Sequence, residues 1–142
     1  MGVRVKLRIA IGDSSFEAVG LVNSGFETDT PQLLVPYRLL VSKNIDLSRL
    51  ATPSIREYDT AGGTIAMNLY PRACRVSVIE SDRTSKEVIA DLVVSLIERE
   101  ILISDALTEE LGIIILSPKK GYWRFIDDKQ DIVRHSCHPE IY

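Results

Sequence analysis

Asn23, Ser24 and Gly25 stand together directly after an apolar run, residues 16–22. An amide and a hydroxyl can both donate and accept hydrogen bonds, and glycine allows close approach of two backbones. An amide has no proton equilibrium near neutral pH, so Asn23 cannot act as a general acid or base. On its own, the tripeptide is typical of a turn that follows a strand.

A second group of reactive side chains lies near the C-terminus, at His135, Cys137, His138 and Glu140. Imidazole, thiolate and carboxylate groups are zinc ligands, but a single cluster in a polar segment lacks a second ligand pair. We therefore predict no metal site and no cofactor.

Two further positions have plainer structural interpretations. Trp123, between Tyr122 and Phe125, offers an aromatic surface to a ligand, although alternation along a strand favours packing in a core or a dimer interface. Asp105 follows Ser104, and a carboxylate there suits the positive end of a helix. We expect capping from Asp105 rather than catalysis.

Length and charge limit the class of protein. A chain of 142 residues fits one domain with one core, and a net charge of -3 without a basic cluster argues against a nucleic-acid partner. No apolar stretch is long enough for a membrane span, and the N-terminus lacks the features of a secretory signal, so we expect a cytoplasmic protein. We expect Cys74 and Cys137 to be free thiols, since two cysteines at these positions give no disulfide framework.

The elements that position Asn23 begin with the clearest strand of the sequence. Its apolar residues alternate with mostly charged ones, at Val3, Val5, Leu7, Ile9 and Ile11. Turn residues 12–15 follow, and residues 16–22 resume the apolar pattern. The two segments predict an antiparallel hairpin that leads straight into Asn23.

Short strands and turns continue through the middle of the chain. Residues 33–35 predict a buried strand, after which Pro36 can open a helix with Leu39 and Leu40 on one face. Asp59 begins a turn-rich tip, residues 59–63, which predicts a projecting hairpin. The other predicted strands of this region are residues 55–58, 64–70, 73–80 and 87–96.

The C-terminal third mixes one helix with more strands. Ser104 can cap a short helix in which Leu107 and Leu111 share a face, and Gly112 supplies the stop. Residues 113–116 and 122–126 predict two further strands. Residues 127–142 are polar and predict a loosely held tail, or an arm that packs on a partner.

This order of elements resembles retroviral-type (retropepsin-like) aspartic proteases. In that family two apolar residues precede Asp-Thr/Ser-Gly, and here Leu21 and Val22 precede the Asn23 tripeptide. An apolar run ending in proline follows, residues 33–36. Further on, an apolar pair leads into a short helix that ends in Leu-Gly, residues 102–112, with Ser104 where glycine is usual. The resemblance covers residues 3–126 and implies one retropepsin-like domain over residues 1–126.

The resemblance implies a catalytic role for position 23, because each family protomer contributes one aspartate to a pair that shares a proton. One carboxylate activates water and the other hydrogen-bonds the developing oxyanion. Ser24 and Gly25 would support the loop, and Thr60, Ala61, Gly62 and Gly63 would form the flap that covers substrate. Two copies of Asn23 cannot run this cycle. Asp29 with Thr30 is a poor substitute, since Pro31 stands where glycine is needed.

Several explanations account for an asparagine at this position. Asn23 can be an engineered replacement, can deamidate, or can belong to a protein that binds peptides without cutting them or pairs with an Asp-bearing relative. We expect a mainly β fold, a closed antiparallel barrel with two short helices, assembled as a homodimer that binds extended peptides and hydrolyses them only with aspartate at position 23. A non-catalytic peptide-binding or assembly module is the alternative.

Overall fold

A closed barrel of six strands forms the centre of the computed structural model, which describes residues 1–142. Its strands are β1 (Arg4–Ile11), β2 (Ser14–Val22), β3 (Gln32–Pro36), β5 (Gly63–Val78), β6 (Val88–Ser95) and β7 (Ile101–Ile103), and β4 (Ser54–Thr60) pairs with β5 outside the ring. The neighbours around the ring are β1, β2, β7, β3, β6 and β5, and β5 closes it by pairing again with β1. The fold is therefore mainly β, as the sequence predicts.

The short helices and a second sheet lie against this barrel. Helix α1 (Tyr37–Ser42) follows β3, and α2 (Asp105–Glu110) follows β7. Strands β8 (Ile113–Ser117), β9 (Tyr122–Phe125) and β10 (Arg134–His135) form a separate sheet in the order β10, β9, β8. Both helices and the β1–β2 hairpin confirm the sequence prediction. No helix is both long enough and apolar enough to cross a membrane.

The prediction that all strands run antiparallel is wrong at two places. Strand β2 pairs with β7 in parallel, and β3 pairs with β6 in parallel. All five residues of β3 are buried, which is typical of a strand covered on both faces. Such a continuous apolar run carries no alternation from which a pairing direction can be inferred.

Strand β5 corrects another prediction, because residues 64–70 and 73–80, which the sequence predicts as two separate strands, belong to one strand that ends at Val78. Its register against β6 shifts between Tyr70 and Cys74, and Arg72 takes a positive φ of 52°. Such a bulge bends a strand without ending it. The first part of β5 therefore leaves the barrel with β4, while the second part closes the ring against β1.

The sequence predicts that Pro36 opens the helix. In the structure it ends β3 and immediately precedes Tyr37, the first residue of α1. A proline immediately before the helix needs no backbone donor, so its effect is the same. Leu39 and Leu40 are buried, as the helix pattern predicts.

Residues 127–142 are held more closely than the sequence indicates. Arg134 is 8% exposed and forms ion pairs with Asp128 at 2.8 Å and Asp82 at 2.7 Å. The backbone N–H of Cys137 donates to the Arg4 carbonyl at 2.9 Å, and that of Tyr142 donates to the Arg99 carbonyl at 2.8 Å. The C-terminal segment thus packs against the rest of the chain.

Two apolar clusters make up the interior. The larger has 26 buried residues and joins the barrel interior to the helices and to Trp123 and Phe125. Trp123 is fully buried, so its role in core packing is confirmed. The smaller cluster lies on the other face of the sheet, next to the β4–β5 hairpin, and consists of Phe26, Leu34, Met67, Leu69 and Val93.

Candidate functional site

Asn23 lies at the point where β2 leaves the barrel. Its backbone N–H donates to the Ile103 carbonyl at 3.1 Å, which extends the β2–β7 pairing by one bond. Its carbonyl accepts from the Phe26 N–H at 3.0 Å, and its side-chain Oδ1 accepts from the Gly25 N–H at 3.0 Å. Asparagine commonly bonds the backbone two residues ahead in this way. The side chain is therefore fixed within a turn.

Two polar groups of this loop, an amide NH2 and a hydroxyl, have no hydrogen-bond partner. The Asn23 Nδ2 and the Ser24 hydroxyl make no hydrogen bond within the chain, and Ser24 and Gly25 are exposed. A Cβ added at Gly25 would lie 3.3 Å from Asn23 Oδ1, so a side chain there would press on the amide. The loop can bind a polar group, but it has no group that gains or loses a proton near neutral pH.

Helix α2 holds the segment that follows this loop. The Asp105 N–H donates to the Phe26 carbonyl at 3.0 Å, and Asp105 Oδ1 accepts from the Thr28 N–H at 2.9 Å. The same oxygen accepts from the Ala106 N–H at 2.7 Å. Asp105 thus occupies the first helical turn, as the sequence predicts, and also ties the helix to the loop, which a local pattern does not reveal.

Ser104 makes a second connection from the same helix. Its hydroxyl oxygen accepts from the Leu107 N–H at 3.1 Å, which confirms the predicted cap. The oxygen also accepts from the Gln32 N–H at 3.1 Å, while the Ser104 N–H donates to the Gln32 carbonyl. Ser104 is fully buried, so these bonds fix α2 against β3.

An open cleft of about 1120 Å³ begins at Asn23 and Gly25 and runs beneath the β4–β5 hairpin. Thr60 and Ala61 of the hairpin tip line the cleft, whereas Gly62 and Gly63 lie at the turn but not in its wall. The Thr60 hydroxyl donates to the Gly63 carbonyl at 2.7 Å. Gly63 has a φ of 111°, which glycine adopts without strain.

The floor of the cleft is apolar. Phe26, Leu34 and Met67 are buried beneath it, with Tyr58, Ile65 and Leu102 packed against them. The rings of Phe26 and Tyr58 meet edge to face, with centroids 5.8 Å apart. Contact between these rings joins the Asn23 loop to the hairpin.

A chain of hydrogen bonds also fastens the hairpin to the barrel. The Tyr58 hydroxyl donates to Gln32 Oε1 at 2.9 Å, Gln32 Nε2 donates to Thr30 Oγ1 at 3.3 Å, and Thr30 Oγ1 donates to Asp91 Oδ2 at 2.7 Å. The other Asp91 oxygen accepts from the Arg72 N–H at 2.8 Å, within the bulge of β5. This series, Tyr58–Gln32–Thr30–Asp91, is named the latch below.

Burial raises the pKa of Tyr58, and the negative charge of Asp91 acts in the same direction. The hydroxyl therefore stays protonated and remains a donor at neutral pH. Sequence reasoning missed Gln32, Tyr58 and Asp91. The one available signal was a glutamine immediately before the apolar run of β3, where a buried amide needs partners.

The remaining candidates lie in different places. Asp29 lines the cleft and Thr30 belongs to the latch, so the two do not act as a pair. The rings of His135 and Tyr122 meet edge to face, and Glu140 accepts from the Val19 N–H at 2.7 Å. No three His, Cys, Asp or Glu side chains come together as a metal site requires.

Both cysteines are free thiols, as the sequence predicts. Burial raises the pKa of each thiol, so neither is a reactive thiolate at neutral pH. Neither known protein-family models nor curated proteins match this chain.

Proposed function

We propose that the protein binds extended peptides as a homodimer of the retropepsin-like type, and that it hydrolyses them only when position 23 carries an aspartate. One observation carries the proposal: a β hairpin overhangs an apolar-floored cleft that ends at the Asn23 loop, in which Ser24 and Gly25 are exposed. The cleft gives a peptide a place to lie, and the loop stands where bond cleavage would occur.

A peptide in extended conformation fits this cleft, because one strand beside the cleft has an unpaired edge. Strand β4 pairs only with β5, so the N–H and C=O groups along its outer edge are unpaired. A peptide in β conformation can bond such an edge through its backbone, while alternate side chains reach the apolar floor. Backbone bonding would supply affinity, and Phe26, Leu34 and Met67 would favour apolar side chains.

The incompleteness of the Asn23 loop as a catalytic site supports the proposed dimer. One protomer supplies one copy of residue 23, whereas aspartic-protease chemistry needs two carboxylates side by side. Because Ser24 and Gly25 are exposed, two loops can meet at a two-fold axis. The two clefts would then form one continuous groove.

A binding role without hydrolysis is the alternative, and the geometry of Asn23 favours it for the protein that has asparagine at this position. Its Oδ1 is bonded to the Gly25 N–H, which leaves the amide NH2 as a donor facing any ligand. A donor can hold a peptide carbonyl but cannot activate water. Hydrolysis would require deamidation, a partner with aspartate, or an encoded aspartate.

The decisive experiment compares the protein with its Asn23→Asp variant on a library of extended peptides. We expect cleavage by the variant to exceed that of the Asn23 protein by roughly 10²- to 10⁴-fold, the usual effect of acid–base catalysis. Activity should be greatest at acidic pH, since one carboxyl of the pair must be protonated. A statine-type inhibitor should block it.

Asn68→Asp is the matched control, because it makes the same chemical change on an exposed part of β5 outside the cleft. This variant should remain inactive. A folded Asn23→Asp protein that cleaves nothing would rule out the hydrolytic role. Calorimetry that detects no peptide binding, or sedimentation that finds only monomer, would contradict the binding role and the dimer respectively.

A further inference from the structure

Charge is distributed very unevenly between the cleft and the rest of the molecule. The chain has 20 acidic and 17 basic residues. Six of the acidic residues line the cleft, namely Glu27, Asp29, Glu57, Asp59, Glu98 and Asp105. Arg56 is the only basic residue there, so a nearly neutral molecule has a strongly negative groove.

None of the six cleft carboxylates forms an ion pair with a basic side chain of the chain. Every ion pair of the protomer lies elsewhere, as in Arg4–Glu100, Lys86–Glu110 and the cluster around Arg134. Asp59 and Asp105 accept hydrogen bonds from neighbouring protein groups, but Glu27, Asp29, Glu57 and Glu98 accept none. These four carboxylates are therefore free to bind a cation from outside.

These acidic residues lie on different sides of the apolar floor. Glu27 and Asp29 belong to the loop after Asn23, and Glu57 to the hairpin. Glu98 belongs to a turn fixed by Ser95, which is 1% exposed and whose hydroxyl oxygen accepts from the Glu98 N–H at 2.9 Å. A ligand in the groove would thus meet apolar contacts beneath it and negative charge beside it.

We propose that the occupant of the cleft is an extended basic peptide, with lysine or arginine residues flanking the apolar side chains that reach the floor. The inference rests on the proposed peptide-binding function and specifies its ligand. Charge complementarity with the groove and contact with Phe26, Leu34 and Met67 select this occupant together. In the dimer, the second cleft would double the number of carboxylates along the same peptide.

Because all six carboxylates are exposed, each ion pair with the ligand would be screened by water and salt. The joint effect would appear mainly as faster association and as a preference that declines with ionic strength. This dependence separates a charge-selected ligand from one bound through its backbone and apolar groups alone.

The test uses three fluorescent peptides with one apolar framework and lysine, glutamine or glutamate at the same two flanking positions. With the Asn23 protein, we expect affinity to fall from the lysine peptide to the glutamine peptide to the glutamate peptide. The difference should shrink as ionic strength rises from about 0.01 M to about 1 M. Equal affinity for the three peptides would overturn the inference and leave peptide binding itself intact. Binding of none of them would contradict the proposed function instead.

A triple variant locates the charge effect. Glu27→Gln with Asp29→Asn and Glu98→Gln should weaken binding of the lysine peptide on the order of tenfold, while binding of the glutamine peptide changes little. The control is Glu17→Gln with Asp13→Asn and Glu87→Gln, which makes the same charge change at exposed residues outside the cleft. Equal loss in both variants would assign the preference to net charge rather than to the cleft, and would overturn the inference.

Discussion

The side chain of Asn23 is held in a way that suits either an amide or a carboxylate. Its Oδ1 accepts from the Gly25 N–H at 3.0 Å, and an aspartate oxygen would accept the same bond with charge assistance. Exchange of asparagine for aspartate therefore needs no rearrangement of the turn. The sequence predicted that this loop was the chemical centre, but it could not reveal how the amide is oriented.

Tyr58 is the residue through which the latch holds the hairpin. We expect Tyr58→Phe to lower the free energy of unfolding by about 1 kcal/mol, because Gln32 Oε1 loses its donor. The hairpin should open more often. Amide hydrogen exchange along β4 should accelerate, and a bound peptide should dissociate severalfold faster.

Tyr37→Phe is the control for this prediction, since Tyr37 is exposed, lies outside the cleft and makes no side-chain hydrogen bond. It should leave exchange along β4 unchanged. Equal exchange rates in the Tyr58→Phe variant and the unmodified protein would show that ring packing against Phe26, rather than the hydroxyl, holds the hairpin.

At the level of elements, local patterns predicted some structures well and others not at all. The alternation in β1 and the Ser104 cap of α2 are local signals, and both were correct. The parallel pairing of β3 depends on β6, about sixty residues away, and no local pattern encodes it. The sequence predicts residues 64–70 and 73–80 as separate strands, but the positive φ of Arg72 and its bond to Asp91 allow β5 to continue through both.

Ser104 connects α2 to β3, so its removal should lower the free energy of unfolding by more than the removal of a simple helix cap. Ser104→Ala would leave the N–H groups of Leu107 and Gln32 without their acceptor in a fully buried site. We expect the free energy of unfolding to fall by about 2 kcal/mol in urea denaturation. Ser81→Ala, at an exposed serine without side-chain hydrogen bonds, should change it little. Similar effects in the two variants would contradict the connecting role.

For the whole molecule, the charged cluster around Arg134 attaches the C-terminal segment to the second sheet. Arg134 lies over the rings of Trp123 and Phe125, with its guanidinium 5.1 Å from the Phe125 centroid. Asp128 accepts from Arg134 and from the Phe125 N–H at 2.8 Å. The polar composition of residues 127–142 predicted a loose tail, because a sequence does not show which distant residues will pair with one arginine.

This cluster predicts a specific loss of stability in acid. Hydrogen bonds from Arg134 lower the pKa of Asp128 from its ordinary 3.8 to about 2. A carboxylate with a lowered folded pKa stabilises the protein fully above its ordinary pKa, and this contribution is lost as pH falls from about 4 towards about 2. The difference in unfolding free energy between the protein and Asp128→Asn should therefore be largest near neutral pH.

Urea denaturation at a series of pH values would measure this difference. It should narrow steadily below about pH 4, whereas Asp131→Asn, at an exposed and unpaired aspartate, should give almost no difference at any pH. A gap between the protein and Asp128→Asn that stays constant from neutral to acidic pH would mean that the charge of Asp128 is not what holds the segment.

The position of β3 has a consequence for how the protein is made. Both of its neighbours, Val88–Ser95 and Ile101–Ile103, are synthesised long after it. Hairpin β1–β2 can pair as soon as it emerges, but β3 has no strand partner until β6 has been added and lacks its second partner until residue 103. Such non-local pairings form slowly and leave an apolar strand open to aggregation. The cleft, whose floor includes Leu34 of that strand, would be among the last parts of the nascent chain to take shape.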